Sequence, residues 1–163
     1  MTYVKTAGEA YYLAAEMEKR AVRLYERALL LFDEPALQER IAQILADERE
    51  HLRRFTALKD GEVPNAERGL CLSAESARIL FSGGLMEAHR LGAFESERAL
   101  LLYAAHEEQN AVETYRGFAE QFNQNDACAQ AFLSIAVEEQ SHLDALNARI
   151  AADDAAKEGN AHE

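Results

Sequence analysis

Apolar residues recur at helical spacing along four long stretches of this 163-residue chain. Between residues 6 and 32 they fall at Tyr11, Ala14, Ala15, Ala21, Val22, Tyr25, Leu29 and Phe32, the period of an amphipathic helix. Thr6 followed by Glu9 fits a capping box at its start. Asp33-Glu34-Pro35 interrupts the pattern, and Pro35 suits the first turn of a second helix. That helix is predicted from about 35 to 59, with Leu37, Ile41, Ile44, Leu45, Leu52 and Phe55 inward, and Gly61 and Pro64 end it. Residues 60–72 read as loop, a short helix capped by Ser73 is expected near 73–82, and Gly83-Gly84 marks a turn. A third long helix is predicted over about 94–121 and a fourth over about 126–151, separated by turn residues from Asn123 to Asp126. The stretch from 152 to 163, rich in Ala, Asp, Glu and Gly, is expected to fray.

Short turns make each consecutive pair of long helices antiparallel. The connection between the pairs, residues 59–93, is long enough to travel the length of a helix. The expected fold is all-α: two antiparallel helix pairs joined by a long crossover containing a short helix, in one domain over 1–151.

The two halves repeat each other. Residues 14–25, AAEMEKRAVRLY, align with 104–115, AAHEEQNAVETY, so that Glu18 matches Glu108 and Tyr25 matches Tyr115. Residues 44–52, ILADEREHL, align with 135–143, IAVEEQSHL, so that Glu48-x-x-His51 matches Glu139-x-x-His142. The repeat covers about 10–58 and 95–150. In an antiparallel pair, residues equidistant from the turn lie at one height. Glu18 and Glu48 are equidistant from Asp33, and Glu108 and Glu139 are equidistant from the 123–124 turn. The i, i+3 spacing puts Glu48 with His51, and Glu139 with His142, on one helix face. These residues share the apolar stripe with small neighbours such as Ala14, Ala21, Ala104 and Ala111.

Four carboxylates converging in a core repel one another and are costly to desolvate. Two divalent cations would balance them, and carboxylates with imidazoles are metal-ligand types. Glu107 competes with Glu108, because a one-residue bulge would exchange them. Glu16, Asp47, Glu50 and Glu138 are expected to face solvent, and His89, His106 and His162 fall on no repeated position.

With Glu18-x-x-Ala21-x-x-x-Tyr25, Glu48-x-x-His51, Glu108-x-x-Ala111-x-x-x-Tyr115 and Glu139-x-x-His142 in this order, the chain resembles the ferritin-like superfamily. Within it, the chain is most similar to the rubrerythrin-type diiron domain, over about residues 10–150. The resemblance implies a ferritin-like four-helix bundle holding two iron ions, with manganese or zinc as substitutes. Glu48 and Glu139 would bridge the metals, Glu18 and Glu108 would be terminal carboxylates, and His51 and His142 terminal nitrogens. Tyr25 and Tyr115 would hydrogen-bond to the ligands. The implied activity is diiron oxidoreductase chemistry on hydrogen peroxide or dioxygen. A ferroxidase, iron-storage or scavenging role is the alternative, and a non-enzymatic metal-binding bundle is the third. Two departures stand out. The chain has no pair of C-x-x-C motifs for a rubredoxin-like centre, and Ala111 occupies the position where rubrerythrins carry an extra carboxylate.

Composition narrows this further. Hydrophobic residues at 48%, with two prolines and eight glycines, favour a folded helical protein over a disordered one. Net charge is −12, and residues 83–163 carry 5 Lys and Arg against 15 Asp and Glu. Nucleic acid is therefore not an expected partner. No apolar run reaches membrane-spanning length and the N-terminal residues lack the layout of a signal peptide, so the expected compartment is the cytoplasm. Cys71 and Cys128 are expected to be reduced thiols. With no C-x-x-C pair and no Gly-x-Gly-x-x-Gly fingerprint, the chain needs an external electron donor such as a rubredoxin. The long crossover could also connect pairs between subunits, so a homodimer is expected.

Overall fold

The computed structural model describes residues 4–59, 84–123 and 126–160, and these are almost entirely helical, with no strand among them. The helices are α1 (Ala7–Leu31), α2 (Pro35–Lys59), α3 (Gly84–Arg90), α4 (Glu97–Glu120) and α5 (Ala127–Asn160). The short helix expected at 73–82, and Cys71, lie outside the described residues. No described helix is long and apolar enough to cross a membrane.

Local chemistry sets the helix ends. Thr6 Oγ1 accepts from the Glu9 N–H at 3.1 Å, and Glu9 Oε2 accepts from the Lys5 N–H at 2.8 Å, which satisfies donors at the start of α1. The Glu34 carboxylate accepts from the Ala36 and Leu37 N–H groups at 3.2 and 2.7 Å, just where Pro35 opens α2. Helix α3 ends in a Schellman turn: Ala93 N–H reaches Ala88 O and Gly92 N–H reaches His89 O. Gly92 takes φ +75° there, a conformation that L side chains resist. Ser96 then caps α4 by accepting from the Ala99 N–H at 3.1 Å.

One expectation needs correction. The tail expected to fray from 152 is helical as far as Asn160. Ala151, Ala152, Ala155 and Ala156 are strong helix formers. Asp153 accepts from Arg149 Nε at 3.0 Å, and Asp154 pairs with Arg98 of α4, tying the extension to its neighbour.

Helix α1 packs on α2 and α4 on α5. Both pairs are antiparallel: Arg49 of α2 reaches Glu26 of α1 across the first, and Arg98 near the start of α4 reaches Asp154 near the end of α5. The pairs meet through side chains. One core cluster gathers Tyr11, Phe55, Phe118 and Phe132, from α1, α2, α4 and α5. A second, largely aliphatic, gathers Ala28, Ile41, Leu101 and Leu146 from the same helices. Between the two clusters, at the mid-height of the helices, lie buried carboxylates and imidazoles.

Candidate metal centre

Six charged or titratable side chains from the four long helices converge in this middle layer. They are Glu18 of α1, Glu48 and His51 of α2, Glu108 of α4, and Glu139 and His142 of α5, all buried. They form two groups whose ligand-type atoms lie within 4.8 Å of one another: Glu18, Glu48, His51 and Glu139, and Glu48, Glu108, Glu139 and His142. Glu48 and Glu139 belong to both. Glu107 is also buried but belongs to neither, so helix α4 presents Glu108 and not its neighbour.

Both imidazoles turn Nδ1 inward. His51 Nδ1 is 3.0 Å from Glu139 Oε1 and 3.9 Å from Glu48 Oε2. His142 Nδ1 is 3.2 Å from both Glu48 Oε1 and Glu139 Oε2, and 3.8 Å from Glu108 Oε2. Both turn Nε2 outward to a carboxylate of the opposite hairpin: His51 to Glu138 at 3.1 Å and His142 to Asp47 at 3.2 Å. A carboxylate on Nε2 favours the tautomer with its proton there, which leaves the Nδ1 lone pair for a metal.

Asp47 and Glu138 face solvent in part, as the sequence leads one to expect, but each also meets a histidine, which the sequence reading did not foresee. Their side chains are 57% and 41% exposed, yet each holds an imidazole. Each directly precedes a Glu-x-x-His, so an acidic residue at that place in both repeats was the available signal. Its rotation by about 100° from the neighbouring Glu points it away from its own hairpin's site. Only the packing of α2 beside α5 turns it to the other hairpin's histidine.

A second reciprocal pair joins α1 to α4. The Tyr25 hydroxyl donates to Glu108, and the Tyr115 hydroxyl donates to Glu18. Both tyrosines are fully buried, so each hydroxyl needs its acceptor. The remaining histidines lie elsewhere: His89 packs against the Phe94 ring at 4.7 Å, and His106 contacts Asn110. His162 lies outside the described residues.

The electrostatics of the layer follow from burying four carboxylates and two imidazoles together. Burial, then the charges of Glu48 and Glu139, push the Glu18 carboxyl well above its ordinary value. Burial and neighbouring carboxylates raise Glu48 to about 8, and burial foremost raises Glu108 to about 8. Burial also opposes charge on Glu139, but the hydrogen bond from His142 and the charges of His51 and His142 outweigh it and hold Glu139 at about 2. For His51, burial is outweighed by Glu139, Glu18 and Glu138, which raise it to about 9. His142 is raised much further by Glu108, Glu139 and Glu48 against the effect of burial. Without metal the carboxylates are thus neutralised by protons and imidazolium.

Protons satisfy this layer incompletely. Glu48 Oε1, His51 Nδ1 and Glu139 Oε1 are buried with no hydrogen-bond partner, because their close neighbours stand outside hydrogen-bonding geometry. Two of these atoms belong to the shared carboxylates and the third to an inward imidazole nitrogen. Oxygen and nitrogen donors aimed at one another, unpartnered and far from water, fit a divalent cation. The buried groups of Glu and His could therefore hold metal ions.

The chain matches no protein-family model, no curated protein and no solved structure.

Proposed function

We propose that the chain is a ferritin-like four-helix bundle of the rubrerythrin type, its two pairs joined by the 59–93 crossover, that holds two iron ions for redox chemistry of hydrogen peroxide or dioxygen. One observation carries the reading: two ligand groups share Glu48 and Glu139 while each keeps its own carboxylate and its own imidazole. Iron and manganese both suit carboxylates with two imidazoles. When bound, two ferrous ions supply a pair of electrons to an oxidant. The protein's part is to hold and insulate. Glu48 and Glu139 offer oxygens to both positions, and Glu18 and Glu108 each serve one. Tyr115 and Tyr25 steady those terminal carboxylates from the opposite hairpin. Glu138 and Asp47 keep the Nε2 protons in place, so that Nδ1 stays available. The core clusters above and below keep bulk water away from the layer.

The cycle needs electrons from outside, since this chain shows neither a C-x-x-C pair nor a dinucleotide fingerprint. We assign that role to a separate donor such as a rubredoxin, with the chain itself a cytoplasmic homodimer. The buried Ala111 in place of a further carboxylate makes the peroxide reaction slower than in a full rubrerythrin.

The test is metal analysis of protein from iron-supplied cells, then anaerobic reduction and separate challenge with peroxide and dioxygen. The expected result is two irons per chain and one stoichiometric oxidation, with continued turnover only when donor and reductase are added. Steady NADH consumption by the purified chain alone, or inertness to both oxidants, would overturn it.

Partial exposure of Asp47 and Glu138 beside the histidines favours a second reading, iron handling, because surface carboxylates next to the site give ferrous ions a route inward. Rapid dioxygen-dependent oxidation of many irons per chain, in a large shell-like assembly, would select ferroxidase and storage over peroxide chemistry.

A further inference from the structure

The two imidazoles are held by matching carboxylates, but those carboxylates are not held alike. Glu138 Oε2 takes the His51 Nε2, and Glu138 Oε1 accepts from Arg54 Nη1 at 2.9 Å. The same guanidinium reaches Ser134 Oγ through Nη2 at 3.4 Å, one turn before Glu138 on α5. Arg54 thus spans from α2 to two successive turns of α5, with Glu138 clamped between guanidinium and imidazole. On the other side Asp47 meets His142, and among the described residues no other cation pairs with it. The repeat counterpart of Arg54, three residues after His142 as Arg54 is three after His51, is Ala145. Its methyl group cannot reach Asp47. Asp47 also has a side chain one methylene shorter, and it is the more exposed of the two carboxylates.

We propose that Arg54 is a positioning residue that locks Glu138 onto His51, so that the Glu18, Glu48, His51 and Glu139 position binds a divalent cation more tightly than the Glu48, Glu108, Glu139 and His142 position. This rests on the dinuclear reading above. A clamped carboxylate keeps the His51 ring oriented and its proton on Nε2 before metal arrives. Asp47 has no such clamp and is the more exposed carboxylate, so it restrains the His142 ring less firmly. One effect opposes this: the guanidinium draws charge from Glu138 and weakens its hold on the imidazole proton. Arg54 and Glu138 are both partly exposed, so solvent screens that charge effect. The geometric restraint is not screened. Groups that orient metal-binding histidines set affinity by about 10- to 100-fold. As a partly exposed ion pair, Arg54–Glu138 contributes little to stability itself.

The test is titration of the metal-free full chain with cobalt(II), followed by its visible absorption, alongside thermal unfolding of the metal-free form. The unaltered protein should bind in two steps separated by about tenfold or more. E18Q should remove the tight step and E108Q the weak one. R54A should weaken the tight step by about tenfold and merge the two, with the metal-free melting temperature nearly unchanged, and R54K should recover only part of the difference. A145R, which supplies the arginine that Asp47 lacks, should narrow the gap from the other side. Two steps of unchanged separation in R54A would overturn the role of Arg54 while leaving two metals per chain intact. Failure of the unaltered protein to bind two cobalt ions would instead refute the dinuclear reading, and this inference with it.

Discussion

The aromatic core and the carboxylate layer are built from the same four helices and are equally buried, yet they are completed in opposite ways. At one end Tyr11, Phe55, Phe118 and Phe132 pack, mostly tilted, with ring centroids 5.2–6.3 Å apart, each group filling space left by the others. That cluster is finished by the chain alone. In the layer, Glu18, Glu48, Glu108 and Glu139 face one another, and three buried polar atoms have no partner. Burial stabilises an apolar ring by removing it from water, but it penalises a carboxylate unless an opposite charge replaces the water. The ends of the core therefore supply the fold's stability, whereas the layer costs stability unless charge within it is balanced.

The comparison breaks first at the aromatic end. Phe132→Ala should cost about 3–5 kcal/mol, equally with and without metal, and melting curves of both forms should fall together. A loss confined to the metal-loaded form would show that the aromatic cluster and the layer are not separable.

The layer should behave in the reverse manner. Saturating ferrous iron at about 100 times its dissociation constant should stabilise the unaltered protein by about 2.7 kcal/mol. Glu48→Ala combined with Glu139→Ala should abolish that gain, because both groups lose a shared member. The metal-free double variant should be less stable than the metal-free parent, since loss of Glu139 removes the carboxylate that balances the buried His51 and His142 imidazoles. Retention of the iron-dependent shift would count against Glu48 and Glu139 as shared ligands.

Proton dependence should separate the two regions next. Folding moves Glu48 and Glu108 from 4.5 to about 8 and His51 from 6.5 to about 9. Each binds its proton more tightly when folded. The stability it contributes is complete below the unfolded value and is lost as pH rises through the folded one. Glu139, held at about 2, works the other way, and its contribution disappears only as pH falls below 4.5. The metal-free protein should therefore melt lower at about pH 9 than at about pH 6, by roughly 5 °C or more. Metal displaces those same protons, so its stabilising effect should grow over this range. A metal-free melting temperature that is flat or rising between these pH values would contradict the proton-neutralised layer.

The smallest effect is expected where the regions touch. Tyr115 belongs to the aromatic cluster, with its ring 5.5 Å from Phe55, and it also donates to Glu18. Tyr115→Phe keeps the ring and removes the donor, so it should cost about 1–2 kcal/mol and weaken metal uptake modestly. Tyr25→Phe should act on Glu108 in the same way. Equal loss from Tyr115→Phe and Phe132→Ala would mean that the hydroxyl matters as much as a whole ring, which the comparison forbids.

Much of the fold was legible in the chain, for local reasons. Thr6, Pro35 and the apolar spacing mark the helices of the first half, and the short turns dictate antiparallel pairs. The Ala-rich end of α5 was misjudged because its helix is supported by Arg98, a partner distant in sequence. The six candidate ligands were legible because a repeat doubles the signal: one Glu-x-x-His is unremarkable, whereas two with matching carboxylates at matching heights are not. Asp47 and Glu138 were read only as solvent-facing, and Arg54 was not singled out, because nothing in their own helices shows which partner on the other hairpin they meet.

By itself the sequence determined what a single helix can determine: where its local caps and breakers lie, its apolar stripe, and that Glu48 and His51, or Glu139 and His142, project from one face. Those properties depend on residues within a turn or two. Only the tertiary structure decided that Glu108 and not Glu107 enters the layer, that Tyr25 serves Glu108 while Tyr115 serves Glu18, and that Asp47 and Glu138 cross over to His142 and His51. Each of these depends on the rotation and register of one helix against another far along the chain. Apolar packing over the whole length of the helices sets them, and no local pattern encodes it.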